Sequence, residues 1–168
     1  FSDPLWLTEQ GGWENPQVVK WFTDYVEKVV EALKSENNLW ITINEPNVYA
    51  TFGYVMGTFP PGKKDITAAY KVLVNMVKAH AAAYHTIHKI QSEARVGFAL
   101  HYQRFNPAKA SSPLDRWAAR MQSKLFNESF LEAVSDGVFR FAFLKATIPN
   151  AAGTNDFIGL NYYTSSLV

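Results

Sequence analysis

The sequence predicts an α/β fold built on a parallel sheet with helices packed outside it. Helix-like and strand-like segments alternate along the chain, in the order helix, strand, helix, strand, helix, strand. The predicted strands recur at similar intervals, with 57 residues from Leu39 to Val96 and 61 from Val96 to Phe157. Alternation with room for a crossover helix between strands is typical of right-handed βαβ units.

The first helix is predicted from Asn15, a favourable N-cap that is followed by Pro16 at the first helical position. Apolar residues then recur at helical spacing, which indicates one buried face, and the polar stretch 34–38 ends the pattern. Residues 39–43 (Leu-Trp-Ile-Thr-Ile) are β-branched or aromatic, so we expect a short buried strand there. That strand stops at Asn44-Glu45-Pro46.

The second helix is predicted to begin after Asp65, because apolar residues follow at helical spacing as far as Ile87. Residues 95–100 (Arg-Val-Gly-Phe-Ala-Leu) predict the second strand, which ends near His101. This second helix lies between the first and second predicted strands, and it supplies a crossover long enough to connect a parallel pair.

The third helix is predicted from Ser112-Pro113, again an N-cap followed by proline, and Gly137 is its expected C-terminal stop. Residues 138–155 carry no clear period and are ambiguous. The last strand is predicted at 157–161, with the sequence Phe-Ile-Gly-Leu-Asn.

Two parallel architectures agree with this order of elements, an open doubly wound sheet and a (β/α)8 barrel. An open sheet that binds nucleotides carries a glycine-rich phosphate loop after a strand, and none of the three strand ends has one. A whole barrel needs about 200 residues or more. A barrel interpretation of these 168 residues therefore implies only part of a barrel.

Composition excludes several functional classes. The chain is 15% aromatic, has a formal net charge of +1 and contains no cysteine, which argues against disorder, nucleic acid binding and disulfide or thiolate metal sites. It has no apolar run of about 18 residues and no signal-peptide pattern, so we expect a cytoplasmic protein. We expect one domain over residues 1–168, and the absence of an initiator methionine suggests that the gene begins upstream.

Polar and aromatic side chains follow all three predicted strands. They are Asn44 and Glu45 after the first, His101, Tyr102 and Arg104 after the second, and Asn161, Tyr162 and Tyr163 after the third. Because the carboxyl ends of parallel strands meet at one face, we expect the carboxylate, the two carboxamides, the imidazole and the phenols of Tyr162 and Tyr163 to share one mouth. Amides and aromatic rings together suit a sugar, and an acid among them suggests cleavage of a glycosidic bond.

Each of these residues also has a plainer interpretation. Glu45 would then mark the exit of its strand into solvent, His101 would be a hydrogen-bonded polar residue, and the residues after the third strand would be a turn residue and two core rings. His80, His85 and His88 lie within a helix with no carboxylate nearby in sequence, so we favour surface positions over a metal site for all three.

Residues 42–46 (Thr-Ile-Asn-Glu-Pro) resemble the T-x-N-E-P signature of glycoside hydrolase family 1, the group of β-glucosidases and β-galactosidases. Three further regions agree in order and spacing. Residues 1–6 with 11–13 resemble the end of the family's third strand and its loop, 53–54 with 59–62 the loop after the acid/base strand, and 156–164 the sixth strand. The resemblance covers essentially the whole chain.

The resemblance implies a partial (β/α)8 TIM barrel, from the end of strand three through strand six, and hydrolysis of β-glycosides with retention. By it, Glu45 is the general acid/base, Asn44 binds the 2-hydroxyl of the sugar, and Tyr163 hydrogen-bonds the nucleophilic carboxylate. Asn161 helps to organise the same site, and His101 binds substrate on the leaving-group side. The implied partner is a β-glycoside or oligosaccharide substrate, and no cofactor or metal is implied.

Residues 1–168 depart from the family pattern in two ways. The family's nucleophile is a Glu in an (I/V)-T-E-N-G segment after the seventh strand, and no such segment occurs here. Asp156 cannot replace it, because it precedes its strand instead of following it, and Asn47 stands where many members have Trp. We expect the isolated chain to be inactive or nearly so, and to need the missing barrel segments or self-association. A non-catalytic carbohydrate-binding or assembly fragment and one half of a split glycosidase are the alternatives.

Overall fold

The computed structural model of the chain describes residues 3–168, so the predicted end of the third barrel strand at Phe1 and Ser2 lies outside the described residues. In the described range the helices are α1 (Leu5–Glu9), α2 (Val18–Leu33), α3 (Pro46–Ala50), α4 (Ile66–Ile90), α5 (Pro113–Ser123) and α6 (Ser129–Asp136). The strands are β1 (Leu39–Asn44), β2 (Arg95–Asn106), β3 (Val138–Phe141), β4 (Leu144–Thr147) and β5 (Phe157–Leu167).

The main sheet has three strands in the order β1-β2-β5, all parallel, with β2 in the centre. Residues 39–44 of β1 pair with residues 95–99 of β2, and residues 97–106 of β2 pair with residues 157–167 of β5. The predicted α/β fold with a parallel sheet is therefore confirmed, and the carboxyl ends of its three strands lie together.

The structure differs from the prediction at the start of the first helix and at the ends of the second and third predicted strands. Helix α2 begins at Val18, because the Asn15 side chain accepts a hydrogen bond from the Gln17 backbone N–H at 2.9 Å and forms a turn before the helix. Strands β2 and β5 continue to Asn106 and Leu167, because the two strands pair with each other beyond their apolar cores.

The ambiguous stretch 138–155 forms an antiparallel hairpin of β3 and β4, followed by a 3-10 turn at Pro149–Ala151. Gly137 ends α6 in the left-handed conformation, as predicted, with a φ of 75°. The hairpin packs beside α4, since Phe139 and Phe141 belong to the same core cluster as the buried face of that helix. This stretch thus extends the outer layer of the fold.

Helix α4 is the outer element against which the sheet packs. Its N-cap is Asp65, whose side chain accepts hydrogen bonds from the backbone N–H groups of Thr67 and Ala68 at 2.8 and 3.1 Å. Its buried face shares the main core cluster with Phe98 and Leu100 of β2. In the described part of the chain no helix, α4 included, is long and apolar enough to cross a bilayer.

The surface position expected for the three helical histidines is wrong for His80. Its side chain is fully buried, with its ring edge-on to Phe98 and Phe130 at centroid distances of 5.7 and 6.1 Å. His85 is exposed and His88 is partly exposed, as expected. Burial lowers the pKa of His80 to about 4, so the ring is neutral at neutral pH.

Asp156 lies at the amino-terminal end of β5, at the opposite end of the sheet from the candidate site. Its carboxylate accepts hydrogen bonds from the Val96 backbone N–H at 2.7 Å, from Tyr84 at 2.8 Å and from His88 at 3.1 Å. Partial burial opposes its ionisation, but these donors together hold the pKa of Asp156 below its usual value. Asp156 therefore ties α4 and β2 to the start of β5.

One face of β5 carries apolar side chains that nothing in residues 3–168 covers. Ile158, Leu160 and Tyr162 alternate along the strand and are 42%, 64% and 54% exposed. Ile158 and Leu160 lie in register with Phe98 and Leu100, which are buried against the helices. The helix layer that covers this face of the sheet over β2 thus stops short of β5.

We predict that acid destabilises the fold in a window set by His80. The unfolded chain binds a proton at its histidines near pH 6.5, whereas native His80 binds one only near pH 4. The unfolded state therefore binds more protons between these values, and the free energy of unfolding should fall as the pH falls from 6.5 to 4, by at most about 1.4 kcal/mol per pH unit. Urea unfolding across this pH range measures the slope.

The control for this prediction compares His80→Gln with His85→Gln. The first variant should lose most of the slope, whatever its absolute stability, and the second should keep it. Asp156 contributes only at lower pH, because its stabilising effect is lost as the pH falls from the ordinary aspartate pKa of 3.8 through its own depressed pKa. Equal slopes in the wild type and His80→Gln would contradict the prediction.

Candidate active site

The candidate site is built where the carboxyl ends of β1, β2 and β5 come together. Asn44 is the last residue of β1, and the Glu45 backbone N–H donates to the Ala99 carbonyl of β2 at 2.8 Å. His101 of β2 and Asn161 of β5 are directly paired in the sheet. Parallel pairing thus brings four of the predicted site residues to one end of the sheet.

Glu45 has an unusual backbone conformation for a glutamate. Its φ of 50° and ψ of 56° lie in the left-handed region, which costs an L-residue about 1 kcal/mol or more. From this conformation Glu45 turns the chain out of β1 and precedes the short helix α3, whose Tyr49 N–H donates to the Glu45 carbonyl at 3.1 Å. The Glu45 side chain is only 7% exposed, so it does not simply leave the strand for solvent.

A hydrogen-bonded cluster joins the three strand ends. The Asn161 amide nitrogen donates to Glu45 Oε1 at 2.8 Å and to Asn44 Oδ1 at 3.1 Å. His101 Nδ1 lies 3.6 Å from the same Glu45 oxygen. The structure therefore brings together Asn44, Glu45, His101 and Asn161 as the sequence predicted.

The aromatic side of the site is formed by Tyr163, His101 and Phe126. The Tyr163 ring lies 5.0 Å from the His101 ring with an interplanar angle of 36°, and Phe126 meets His101 edge-on at 5.6 Å. Tyr162 does not join them, because it alternates with Asn161 and Tyr163 along β5 and pairs with Tyr102 instead. The expectation that both phenols enter one mouth is therefore wrong for Tyr162.

Asn47, which stands where many family members have Trp, supports this wall. Its side-chain amide donates to the carbonyls of His101 at 2.7 Å and Phe126 at 3.1 Å. The π-helical turn Lys124–Glu128 presents Phe126 for this contact. The position of Asn47 directly after the Asn-Glu-Pro turn was the only sequence signal of its role.

Asn127 makes a similar contact two residues further along β2, with the backbone of Gln103. Its side chain accepts from the Gln103 N–H at 3.0 Å and donates to the Gln103 carbonyl at 2.9 Å, as a neighbouring strand would. These bonds hold the extension of β2 beyond His101. No sequence pattern predicted this contact, because it depends on a π-helical turn that brings residues far apart in sequence together.

The arrangement offers one buried carboxyl group beside amide donors, an imidazole and an exposed phenol ring. A carboxyl group in such a setting can exchange a proton, and the amides and the ring can bind a polyhydroxylated ligand. Within residues 3–168, no three His, Asp or Glu side chains converge with geometry suited to a metal ion.

Comparison with known proteins places these features in a family. The sequence model of glycosyl hydrolase family 1 matches residues 1–168. Beta-glucosidase A of Thermotoga maritima is 29% identical over 177 residues, which cover 98% of this chain and 40% of that protein. The cytosolic beta-glucosidase of Cavia porcellus is also 29% identical, with coverages of 100% and 41%. The chain thus spans about two fifths of the length of these relatives.

Solved structures agree with the fold. The beta-glycosidase from Pyrococcus horikoshii matches with a TM-score of 0.88 and 37% identity, over 97% of this chain and 37% of that one. The beta-glucosidase from Thermotoga maritima in complex with deoxynojirimycin matches with a TM-score of 0.87 and 29% identity, over 98% of this chain and 40% of that one. Since these neighbours are (β/α)8 barrels, the predicted partial TIM barrel is confirmed.

The left-handed backbone at residue 45 gives a stability prediction. Glu45→Ala and Glu45→Gly both remove the carboxyl group and its bond to Asn161, but only glycine adopts a φ of 50° without steric cost. We expect Glu45→Gly to be more stable than Glu45→Ala by about 1 kcal/mol. Urea unfolding of the two variants measures the difference, and a Glu45→Ala variant equal to or more stable than Glu45→Gly would contradict it.

Proposed function

The chain belongs to glycosyl hydrolase family 1, and from that membership we propose that it forms part of an enzyme that hydrolyses β-glycosidic bonds. The observation that supports this most is the buried Glu45 carboxyl group, which accepts a hydrogen bond from Asn161 at the carboxyl ends of the strands. Relatives that cover the chain include proteins named beta-glucosidase and beta-galactosidase. A β-glycoside or oligosaccharide is therefore the proposed substrate.

In the proposed reaction Glu45 is the general acid/base. A nucleophilic carboxylate attacks the anomeric carbon and forms a glycosyl ester, while Glu45 gives its proton to the departing glycosidic oxygen as the C–O bond breaks. Glu45, now a carboxylate, then takes a proton from water, whose oxygen attacks the same carbon and releases the nucleophile. The sugar leaves with its original anomeric configuration after two inversions.

The hydrogen bond from Asn161 assigns different tasks to the two oxygens of Glu45. Oε1 accepts from the Asn161 amide at 2.8 Å, so the proton that Glu45 donates is carried by Oε2. The amide bond also limits rotation of the carboxyl group, which keeps Oε2 in one direction during both steps. Asn161 thus organises the acid/base in this proposal.

The other site residues have roles toward the sugar. Asn44, which shares the Asn161 amide, binds the 2-hydroxyl, a contact that strengthens in the transition state. Tyr163, whose ring lies tilted against His101, hydrogen-bonds the nucleophilic carboxylate, and His101 contacts the substrate on the leaving-group side. The complex of a Thermotoga maritima relative with deoxynojirimycin supports a site that accepts sugar-like ligands.

In this proposal residues 1–168 carry the acid/base half of the site, and another segment supplies the nucleophile. A retaining glycosidase needs two carboxyl groups about 5 to 5.5 Å apart. The sequence contains no segment that resembles the family's nucleophile, and Asp156 lies at the far end of β5, bonded to Val96, Tyr84 and His88. The 168-residue chain is therefore a single incomplete barrel segment with one catalytic carboxyl group.

We predict that the purified 168-residue chain does not hydrolyse an aryl β-glucoside. A complete barrel is obtained by placing residues 3–168 in the matching part of the Pyrococcus horikoshii enzyme, and that chimera should be active. Glu45→Gln in the chimera should lower kcat/KM for a poor leaving group such as methanol by about 100-fold or more, since general acid catalysis contributes about that much. Release of the alcohol measures the rate.

Leaving-group dependence separates a general acid from a structural residue. Glu45→Gln should retain most of its glycosylation rate on a dinitrophenyl β-glucoside, whose leaving group needs no proton. Azide should then accelerate turnover, because an anionic nucleophile attacks the glycosyl ester without a base. Equal losses on both substrates, no response to azide, or a folded but inactive chimera would contradict the proposed role.

A further prediction concerns assembly. The uncovered apolar face of β5 and the two edges of the main sheet, which no strand within residues 3–168 pairs, should make the isolated chain self-associate unless the missing barrel segments are present. Leu160→Lys should reduce the average mass measured by light scattering, because Leu160 is at the centre of that face. Leu114→Lys is the matched control, since Leu114 is 70% exposed on α5, and it should leave the mass unchanged. A monomeric wild-type chain at high concentration would refute this.

A further inference from the structure

His80 is placed where an ordinary surface histidine of a helix would not be. It lies in the middle of α4, is fully buried, and makes T-shaped ring contacts with Phe98 and Phe130. A buried imidazole needs a partner at each nitrogen, because an unpaired polar group in the core is costly. Both nitrogens of His80 have one.

The two partners come from β1 and from the segment that precedes β5. His80 Nε2 lies 2.5 Å from the Thr154 carbonyl, and Nδ1 lies 2.6 Å from the Thr42 hydroxyl. A carbonyl can only accept, so Nε2 carries the proton, and the Nδ1 of the neutral ring accepts from Thr42. Burial favours this neutral ring, as its lowered pKa of about 4 indicates.

Thr42 lies in the irregular part of β1. Regular pairing with β2 is interrupted between Ile41 and Asn44, and Glu45 follows directly in the left-handed conformation. The direction of the Glu45 side chain therefore depends on how this irregular stretch is held. The Thr42 hydroxyl holds it by donating its single proton to His80 Nδ1, and the Gly97 carbonyl, 3.3 Å from the same hydroxyl, can only share that proton.

Thr154 lies before β5, the strand that carries Asn161. It is fully buried, its hydroxyl donates to the Ala151 carbonyl at 2.7 Å, and its backbone N–H donates to the Val134 carbonyl at 3.2 Å. These bonds fix the Thr154 carbonyl as an acceptor for His80. The entry of β5 is thus tied to α4 at the same ring that holds Thr42.

We propose that His80 is a positioning residue for the candidate active site, because one imidazole ring fixes both the irregular end of β1 and the entry of β5. Its effect reaches the site through the 2.8 Å bond between Asn161 on β5 and Glu45 after β1. The effect of His80 on hydrolysis rests on the proposed function, whereas the effect of His80 on the Glu45–Asn161 contact does not.

The first test observes that contact directly in the 168-residue chain. Thr42→Val keeps the shape of the side chain but removes the hydroxyl, and Thr42→Ser keeps the hydroxyl. The Asn161 side-chain amide resonances in a ¹⁵N spectrum should shift in Thr42→Val and stay near wild-type positions in Thr42→Ser. Val77→Ala, a cavity variant at a fully buried position on α4, is the matched control for lost stability and should leave them unshifted.

The second test measures rate in the complete chimeric barrel. Thr42→Val should lower kcat about 10-fold or more with KM changed less than twofold, since a small displacement of an acid/base slows the chemical step. Thr42→Ser and Val77→Ala should stay within about threefold of wild type at temperatures where all variants are folded. If Thr42→Val does not fold, Thr42→Ala replaces it in both tests.

The two tests fail in different ways. Unshifted Asn161 resonances in Thr42→Val, or equal shifts in Val77→Ala, would overturn the positioning role of His80. Shifted resonances with an unchanged kcat would leave that role intact and would count against the part of the proposed function that assigns Asn161 to the acid/base.

Discussion

The contact on which the candidate site depends is made across a strand. β1 and β5 are not neighbours, yet Asn161 reaches Asn44 and Glu45. This requires small residues on the face of the sheet between them. A Cβ at Gly97 would lie 2.2 Å from a backbone oxygen of β5, and a Cβ at Gly159 would lie 3.2 Å from the Ala99 side chain and 3.5 Å from Ile41. The small residues at these positions therefore permit the close approach across β2 by which Asn161 reaches Asn44 and Glu45.

Polar side chains hold the sheet at three positions along its strands. Asp156 ties the amino-terminal ends of β2 and β5 to α4. His80 ties the irregular end of β1 to the entry of β5. Asn47 ties β2 at His101 to the turn that carries Phe126. Each of these groups is paired with backbone atoms, whose positions follow from the register of the strands. The core provides most of the stability, and these bonds select one register.

Residue patterns predicted the parallel sheet and the strand-end cluster, because strand periodicity and the meeting of carboxyl ends are local and topological rules. They failed where a side chain's neighbours come from distant segments. His80 follows Leu73 and Val77 at a spacing compatible with the buried face, but the residue type led us to expect a surface position, which is wrong. Its partners Thr42 and Thr154 are known only once the strands are folded.

The burial and conformation of Glu45 contradict the plainer of its two interpretations from sequence, in which it marks the exit of its strand into solvent. A glutamate that merely ends a strand would adopt an ordinary backbone conformation and extend into water. Glu45 instead has a left-handed backbone, is 5% exposed and has an amide donor on one oxygen. The left-handed backbone and the burial of a carboxyl group each cost free energy, which glycine or asparagine at this position would avoid. Costs of this kind concentrate where a side chain has a chemical task, so the structure favours the carboxyl group as the reason for the fold of this turn.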